Sequence, residues 1–211
     1  IKNKRVLVRA DFNIFLDERN KAKDDFRVRA TVPTIEYLVK GGAKIILMAH
    51  LGKPDGRVVE KLRLDVVREA LTKNLNLSVI KAADCVGQEI ENQTRQMKPG
   101  EILLLENLRF HSEEEANDEG FAQELARLGD VYVNDAFGVC HRRHASVAAI
   151  TKFLPSVAGL LLEKEIINLT KILQNPKRPL VVIIGGAKIS TKIKFIKEFL
   201  NLADQVVLGG A

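Results

Sequence analysis

Residues 5–13 read RVLVRADFN, a short apolar run that ends on an acidic and an amide side chain. The run is continuous in Val and Leu instead of alternating with polar residues, which is typical of a strand covered on both faces. Most of the apolar runs in the chain share this character. Including the first, the runs lie at Arg5–Arg9, Lys44–Met48, Leu77–Lys81, Glu101–Leu105, Val131–Val133, Leu180–Ile184 and Gln205–Leu208. We therefore predict a sheet of mostly parallel, buried strands.

Helical patterns separate these runs. Pro33 comes early in the first of them and Gly41 closes it, an arrangement that favours a helix between the two. Ser112 and Glu115 have the spacing of a capping box. The predicted helices run from Thr31 to Gly41, over Leu64–Leu75, from Ser112 to about Leu128, over Glu163–Leu173, and from Ser190 or Thr191 to Leu202. Strands that alternate with helices predict an α/β fold with a parallel sheet and helices on both faces.

The composition narrows the class of protein. Lys and Arg number 33 against 27 Asp and Glu, but the Lys residues are scattered among acidic ones, aromatics make up 5% and Trp is absent. A nucleic-acid surface would need a basic stripe with interleaved aromatics, so we expect none. No apolar stretch reaches eighteen residues, no secretory signal opens the chain, and two cysteines form no disulfide framework. We expect a cytoplasmic protein with no membrane partner.

Polar or glycine-rich segments follow five of the apolar runs. The residues concerned are Asp11 and Asn13, His50 and Lys53, Arg109 and His111, His141 to His144, and Gly185 to Lys188. Open α/β sheets bind ligands beyond the carboxyl ends of their strands, and all four histidines fall there. Arg suits carboxylate or phosphate, while Asp11 and Asn13 can accept from a hydroxyl. The pattern predicts a site for a small hydroxylated, phosphorylated acid. Taken singly, each residue could instead have a structural role, by capping a turn, stabilising a loop or forming an ion pair.

The stretch GGAKISTK at 185–192 predicts a second phosphate site. Paired glycines allow close backbone approach, and a helix that starts at Ser190 or Thr191 presents free N–H groups to an anion. It is neither a Walker A loop nor G-x-G-x-x-G, and such a turn can also serve packing alone.

Two alternatives at Cys140 are disfavoured. A zinc site could be formed by Cys140, His141 and His144. However, the chain has no second cysteine pair to complete it, and the two arginines between the histidines would repel a cation. As a nucleophile, Cys140 lacks an orienting third group. We expect no protein-bound metal.

Taken together, several segments resemble the phosphoglycerate kinase family in order and spacing. They are VLVRADFN (6–13), DDFRVRATVPTIEYL (24–38), AHLGKP (49–54), LLLENLRFHSEEEAND (103–118), VNDAFGVCHRRHAS (133–146) and IIGGAKISTKI (183–193). The resemblance implies a two-lobed kinase with one Rossmann-like domain per lobe. Residues 1–158 would bind phosphoglycerate, 159–178 would form an interdomain helix and linker, and 179–211 would begin a nucleotide-binding domain.

The resemblance also implies roles for individual residues. Substrate would be bound by Asp11, Phe12, Asn13, Arg27, His50, Leu51, Gly52, Lys53, Arg109 and Arg142, and Mg-ATP or Mg-ADP by Gly186, Ala187, Lys188 and Lys192. Arg27 and Lys192 would act on the transferring phosphoryl group. The family is usually monomeric, and its metal-binding carboxylate would lie outside this chain.

The sequence departs from the family's pattern in two places. Lys53 stands where the family usually has Arg, which keeps the charge but not the bidentate fork. The family also continues well beyond Ala211. We therefore expect an inactive fragment of a kinase that still binds 3-phosphoglycerate; the alternative is a stand-alone, non-catalytic module that binds phosphorylated anions.

Overall fold

A computed structural model describes residues 1–19, 21–185 and 193–209. The strands are β1 (Arg5–Arg9), β2 (Lys44–Met48), β3 (Val79–Lys81), β4 (Ile102–Leu104), β5 (Val131–Asn134), β6 (Ser156–Ala158), β7 (Val181–Gly185) and β8 (Gln205–Gly209). The helices are α1 (Phe26–Lys40), α2 (Asp65–Leu75), α3 (Gln88–Gln96), α4 (Ser112–Ala116), α5 (Glu119–Arg127), α6 (Leu160–Gln174) and α7 (Ile193–Leu200). The chain divides into two compact units, Ile1–Glu163 and Lys164–Ala211.

The first unit is built on a six-stranded parallel sheet in the order β3-β4-β2-β1-β5-β6. From β1 the chain adds β2, then β3 at the outer edge and β4 between them, and it returns to add β5 and β6 on the other side of β1. The order therefore reverses beside β1. Open α/β sheets bind their ligands at such a reversal, beyond the carboxyl ends of the strands.

Successive residues of β1 feed two separate cores, one on each face of the sheet. Val8 packs in the same cluster as Ile35 of α1. Leu7, its neighbour, packs in the cluster that holds Phe121 of α5 and Ile90 of α3. Because both faces are covered, the strand is apolar without alternation, and the three-layer α/β/α fold predicted from the sequence is confirmed.

The first helix begins earlier than predicted. Helix α1 starts at Phe26 instead of Thr31, so Pro33 lies inside it. A proline there removes one backbone hydrogen bond and disfavours a helix. Burial of Val28 and Thr31 on one side of Pro33, and of Ile35 on the other, outweighs that local preference.

The predicted helix from Ser112 to Leu128 is two helices, and the capping box is wrong. Asn117 adopts a left-handed conformation with φ of 56° and ends α4. The Asp118 carboxylate then accepts from the Phe121 amide at 2.8 Å and caps α5. The Ser112 hydroxyl contacts Glu113 instead of a backbone amide.

Two elements of the first unit were not predicted. Helix α3 buries only Ile90 and Thr94, so its sequence carries almost no apolar periodicity. Strand β6 is three residues long and exposed at the edge of the sheet.

In the second unit, β7 and β8 pair in parallel, and α7 lies between them in sequence. Helix α6 spans Leu160–Gln174, slightly longer than the predicted Glu163–Leu173. The predicted helix start at Ser190 or Thr191 lies outside the described residues. Within the described ranges, no helix has both the length and the apolar character needed to cross a bilayer.

Candidate functional site

Three neighbouring strands end at one place on the first unit. Arg9 is in register with Met48 of β2 and with Asn134 of β5, so the segments that follow these strands meet at one edge of the sheet. We use "strand-end site" for the set Asp11, Asn13, Arg27, His50, Arg109 and Arg142.

Asp11 and Arg27 form an ion pair at this edge. The Arg27 side chain, in the first turn of α1, donates from Nη1 to Oδ2 of Asp11. The other carboxylate oxygen accepts from the Asn13 amide at 3.2 Å. A Cβ added to Gly138 would lie 2.8 Å from Oδ2 of Asp11, so the turn after β5 approaches the carboxylate too closely for a larger residue.

The backbone of Gly52 joins two parts of the strand-end site. Its N–H donates to Oδ1 of Asn13 at 2.8 Å, and its carbonyl accepts from Nη1 of Arg109 at 2.8 Å. Gly52 has a φ of 65°, and an added Cβ would lie 2.8 Å from the Leu62 side chain. The backbone conformation therefore favours glycine, and a larger residue would also force the Leu62 side chain to move.

Asn107 is a buried residue that sequence reasoning did not single out. Its Nδ2 donates to the carbonyls of Leu51 at 2.8 Å and Leu62 at 3.0 Å. Its Oδ1 accepts from the amides of Leu51 at 3.3 Å and Arg109 at 3.1 Å. This one side chain fixes the loop after β2 to the turn that carries Arg109.

Arg109 is a buried cation with open donors. Its residue is only 6% exposed, and Nε and Nη2 have no hydrogen-bond partner among the described residues. Nε does lie 3.3 Å from Oε1 of Glu115, close enough for an ion pair but without hydrogen-bonding geometry. Burial lowers the pKa of Arg109; the charge of Glu115 opposes this shift, and the charges of Arg142 and Arg9 reinforce it. Unsatisfied buried donors are costly, so the site is arranged to receive an anion.

His50 belongs to the site as a neutral group. Burial, followed by the charges of Arg9, Arg109 and Arg142, lowers its pKa to about 2. Burial likewise lowers the pKa of His144. His50 and His144 can therefore supply hydrogen bonds as neutral groups, and the positive charge around them comes from arginine.

Three of the residues predicted to bind substrate, Phe12, Leu51 and Lys53, are placed differently from the residues of the strand-end site. The side chains of Phe12 and Leu51 are in the core, so only their backbone atoms can face a ligand. The Lys53 side chain is 76% exposed and lies 3.9 Å from Asp55. The residues predicted for nucleotide, Gly186, Ala187, Lys188 and Lys192, lie outside the described residues.

The surroundings of Cys140 do not favour a role as a nucleophile. Its thiol donates to the Ala136 carbonyl at 3.4 Å, and burial raises its pKa.

In the described part of the chain, Asp84, Cys85 and His111 bring three potential metal ligands within 4.8 Å. His111 is already hydrogen-bonded to Asp84 at 2.7 Å, and burial raises the pKa of the Cys85 thiol well above its usual value. A protonated thiol is a poor ligand.

The fold and the site together define a class: an α/β domain with arginines and neutral hydrogen-bond donors clustered at the switch point of a parallel sheet. The family model described as Phosphoglycerate kinase matches residues 1–211, and this chain belongs to that family.

Relatives and solved structures agree. The chain is 56% identical over 210 residues to "Phosphoglycerate kinase" of Moorella thermoacetica and 52% identical over 212 residues to that of Aquifex aeolicus, covering all of this chain and 53% of each relative. The phosphoglycerate kinase structure from Pyrococcus horikoshii OT3 superposes with a TM-score of 0.90 at 32% identity, over 99% of this chain and 53% of that one. That from Coxiella burnetii gives 0.83 at 34% identity, over 99% and 52%. The chain thus spans about half the length of the curated relatives it matches.

Proposed function

We propose that the protein to which this chain belongs transfers a phosphoryl group reversibly between 1,3-bisphosphoglycerate and ADP, giving 3-phosphoglycerate and ATP, as a step of glycolysis. One observation carries the proposal. The buried guanidinium of Arg109 has open N–H groups beside the neutral donor His50, at an edge where Asp11 and Asn13 offer acceptors. A phosphorylated hydroxy acid satisfies donors and acceptors together.

Each side chain then has a distinct task. Arg109 and Arg142 neutralise the anionic groups of the substrate, and His50 donates a hydrogen bond to one of its oxygens. Asp11 and Asn13 hold the glycerate hydroxyl and carboxylate end. Arg27 contacts the transferring phosphoryl group; its side chain is 42% exposed and can turn from Asp11 toward it.

Phosphoryl transfer needs positioned charge more than covalent help from the protein, which suits a site of arginines and neutral donors without an activated nucleophile. Residues 1–158 would form the phosphoglycerate domain, 159–178 the interdomain helix and linker, and 179–211 the start of the nucleotide domain. There Gly186, Ala187, Lys188 and Lys192 would contact Mg-ATP or Mg-ADP, with Lys192 acting on the transferring group. Closure of two lobes would exclude water from the transfer. We further propose a cytoplasmic monomer.

Titration calorimetry of 3-phosphoglycerate and Mg-ADP onto the 211-residue chain tests the proposal. We expect saturable binding of 3-phosphoglycerate, weakened at least about tenfold in Arg109→Met, and no ATP formation from 1,3-bisphosphoglycerate and ADP. Turnover by this chain would refute the expectation that the nucleotide half is incomplete. Equal affinity for 3-phosphoglycerate and inorganic phosphate would favour the alternative, a non-catalytic anion-binding module.

A further inference from the structure

A buried guanidinium lies directly behind the strand-end site. Arg9, the last residue of β1, is fully buried and donates from Nε to the Ser146 hydroxyl at 2.9 Å and from Nη1 to the carbonyl of Ala10. The Ser146 hydroxyl in turn donates to Oε1 of Glu114 at 2.6 Å, and its amide donates to Oε2 at 2.9 Å. The buried cation is thus balanced by a buried carboxylate through a single hydroxyl.

The remaining arm of Arg9 reaches His50. Nη2 of Arg9 lies 3.1 Å from Nδ1 of the imidazole. A guanidinium is protonated at every accessible pH and can only donate, so Nδ1 of His50 must accept through its lone pair. The imidazole proton is therefore on Nε2.

The charges around His50 reinforce this arrangement. After burial, the largest electrostatic effects on His50 come from Arg9, Arg109, Arg142 and His144, and none of these groups is anionic. A proton on Nδ1 would break the bond from Arg9, and protonation of both ring nitrogens would also place two cations in contact. Hydrogen bonding therefore excludes both states, and charge also excludes the imidazolium.

We propose that Arg9 is a positioning residue that holds His50 as a neutral donor, with its one ring proton on Nε2, for an oxygen of the bound phosphoglycerate. Ser146 and Glu114 set the orientation of Arg9 in turn. The identity of the ligand rests on the proposed function; the contact between Arg9 and His50 does not.

The first test observes the imidazole directly. Nitrogen-15 NMR of the 211-residue chain, with His50 assigned by its loss in His50→Gln, should show a protonated Nε2 and a bare Nδ1, unchanged between about pH 5 and 8. A coupling across the hydrogen bond from Nη2 of Arg9 to Nδ1 of His50 should be detectable. A proton on Nδ1, or titration within that range, overturns the proposal.

The second test uses a conservative pair of variants. Arg9→Lys keeps the charge but not the fork, so we expect the tautomer of His50 to become mixed and 3-phosphoglycerate to bind about tenfold more weakly. Arg5→Lys is the matched control, because Arg5 lies at the opposite end of the same strand and pairs with Asp130 at the surface. It should alter neither measurement.

The outcomes separate the two proposals. If Arg9→Lys retains both the tautomer and the affinity, Arg9 is not the positioning residue. If Arg9→Lys fails to fold, the proton position and the coupling in the unmodified chain decide. If the unmodified chain does not bind 3-phosphoglycerate, the proposed function of the chain fails, while the state of His50 still decides the role of Arg9.

Discussion

Replacing Glu106 by Gln should destabilise the first unit more than any surface substitution of the same kind. The Glu106 carboxylate is almost fully buried and accepts from Nζ of Lys81 at 2.7 Å and Nη1 of Arg63 at 3.1 Å. Its other oxygen accepts from the amides of Leu64 and Asn107, each at 2.9 Å. A glutamine can keep the two amide contacts, but it turns an N–H toward the two cations.

The magnitude follows from the exposure of the partners. Removing one member of a buried ion pair costs about 3–5 kcal/mol. The side chains of Lys81 and Arg63 are 15% and 33% exposed and can regain some water, so we expect the lower end of that range. For a chain of this size, about 3 kcal/mol lowers the melting temperature by roughly 6–12 °C.

Thermal unfolding followed by circular dichroism measures this shift. Glu60→Gln is the matched control, because Glu60 pairs with the same Arg63 but its side chain is 79% exposed, and such exposed pairs contribute little to stability. If both variants melt within a degree or so of one another, the buried ion pairs of Glu106 do not stabilise the fold by the expected amount. Binding of 3-phosphoglycerate by folded Glu106→Gln should persist, because the contact to the Asn107 amide remains.

Three further predictions concern single side chains. Gly159→Ala should cost about 2–4 kcal/mol in urea unfolding, because the new Cβ would lie 2.2 Å from the Asp135 oxygen that caps α6; an unchanged midpoint would contradict this contact. Since the pKa of His50 is lowered to about 2 in the folded state, the unfolded state binds the extra proton below about pH 6.5. The free energy of unfolding should therefore decrease as the pH is lowered below about 6.5, by up to about 1.4 kcal/mol per pH unit, and His50→Gln should flatten that slope. Arg109→Met should weaken binding of 3-phosphoglycerate at least about tenfold, whereas Lys53→Ala should weaken it less than about threefold; equal losses in calorimetry would refute the ranking.

Much of the fold was predictable because its strands are short and buried on both faces. The run at Arg5–Arg9 was found without ambiguity for that reason. The elements that sequence reasoning missed are those whose apolar signal is weak. Helix α3 buries two side chains, and β6 is an exposed edge strand, so neither differs in pattern from a loop.

The strand-end site was predictable from position alone, since parallel strands bring their carboxyl ends together. The network behind it was not. Arg9 and Ser146 are 137 positions apart, and a hydrogen bond over that separation leaves no local pattern. The available signal was a charged residue closing a strand that is otherwise buried, which marks Arg9 as a side chain that needs a partner.

The two contacts that Gly52 makes have a thermodynamic consequence. Its N–H and its carbonyl contact Asn13 and Arg109, so a shift of either side chain moves the Gly52 backbone and with it the hydrogen-bond partner of the other. The groups proposed to bind the two ends of the substrate are therefore coupled. In a double-mutant cycle on 3-phosphoglycerate affinity, Asn13→Ala and Arg109→Lys should be non-additive by about 0.5 kcal/mol or more, whereas either one combined with a change at distant Arg5 should be additive.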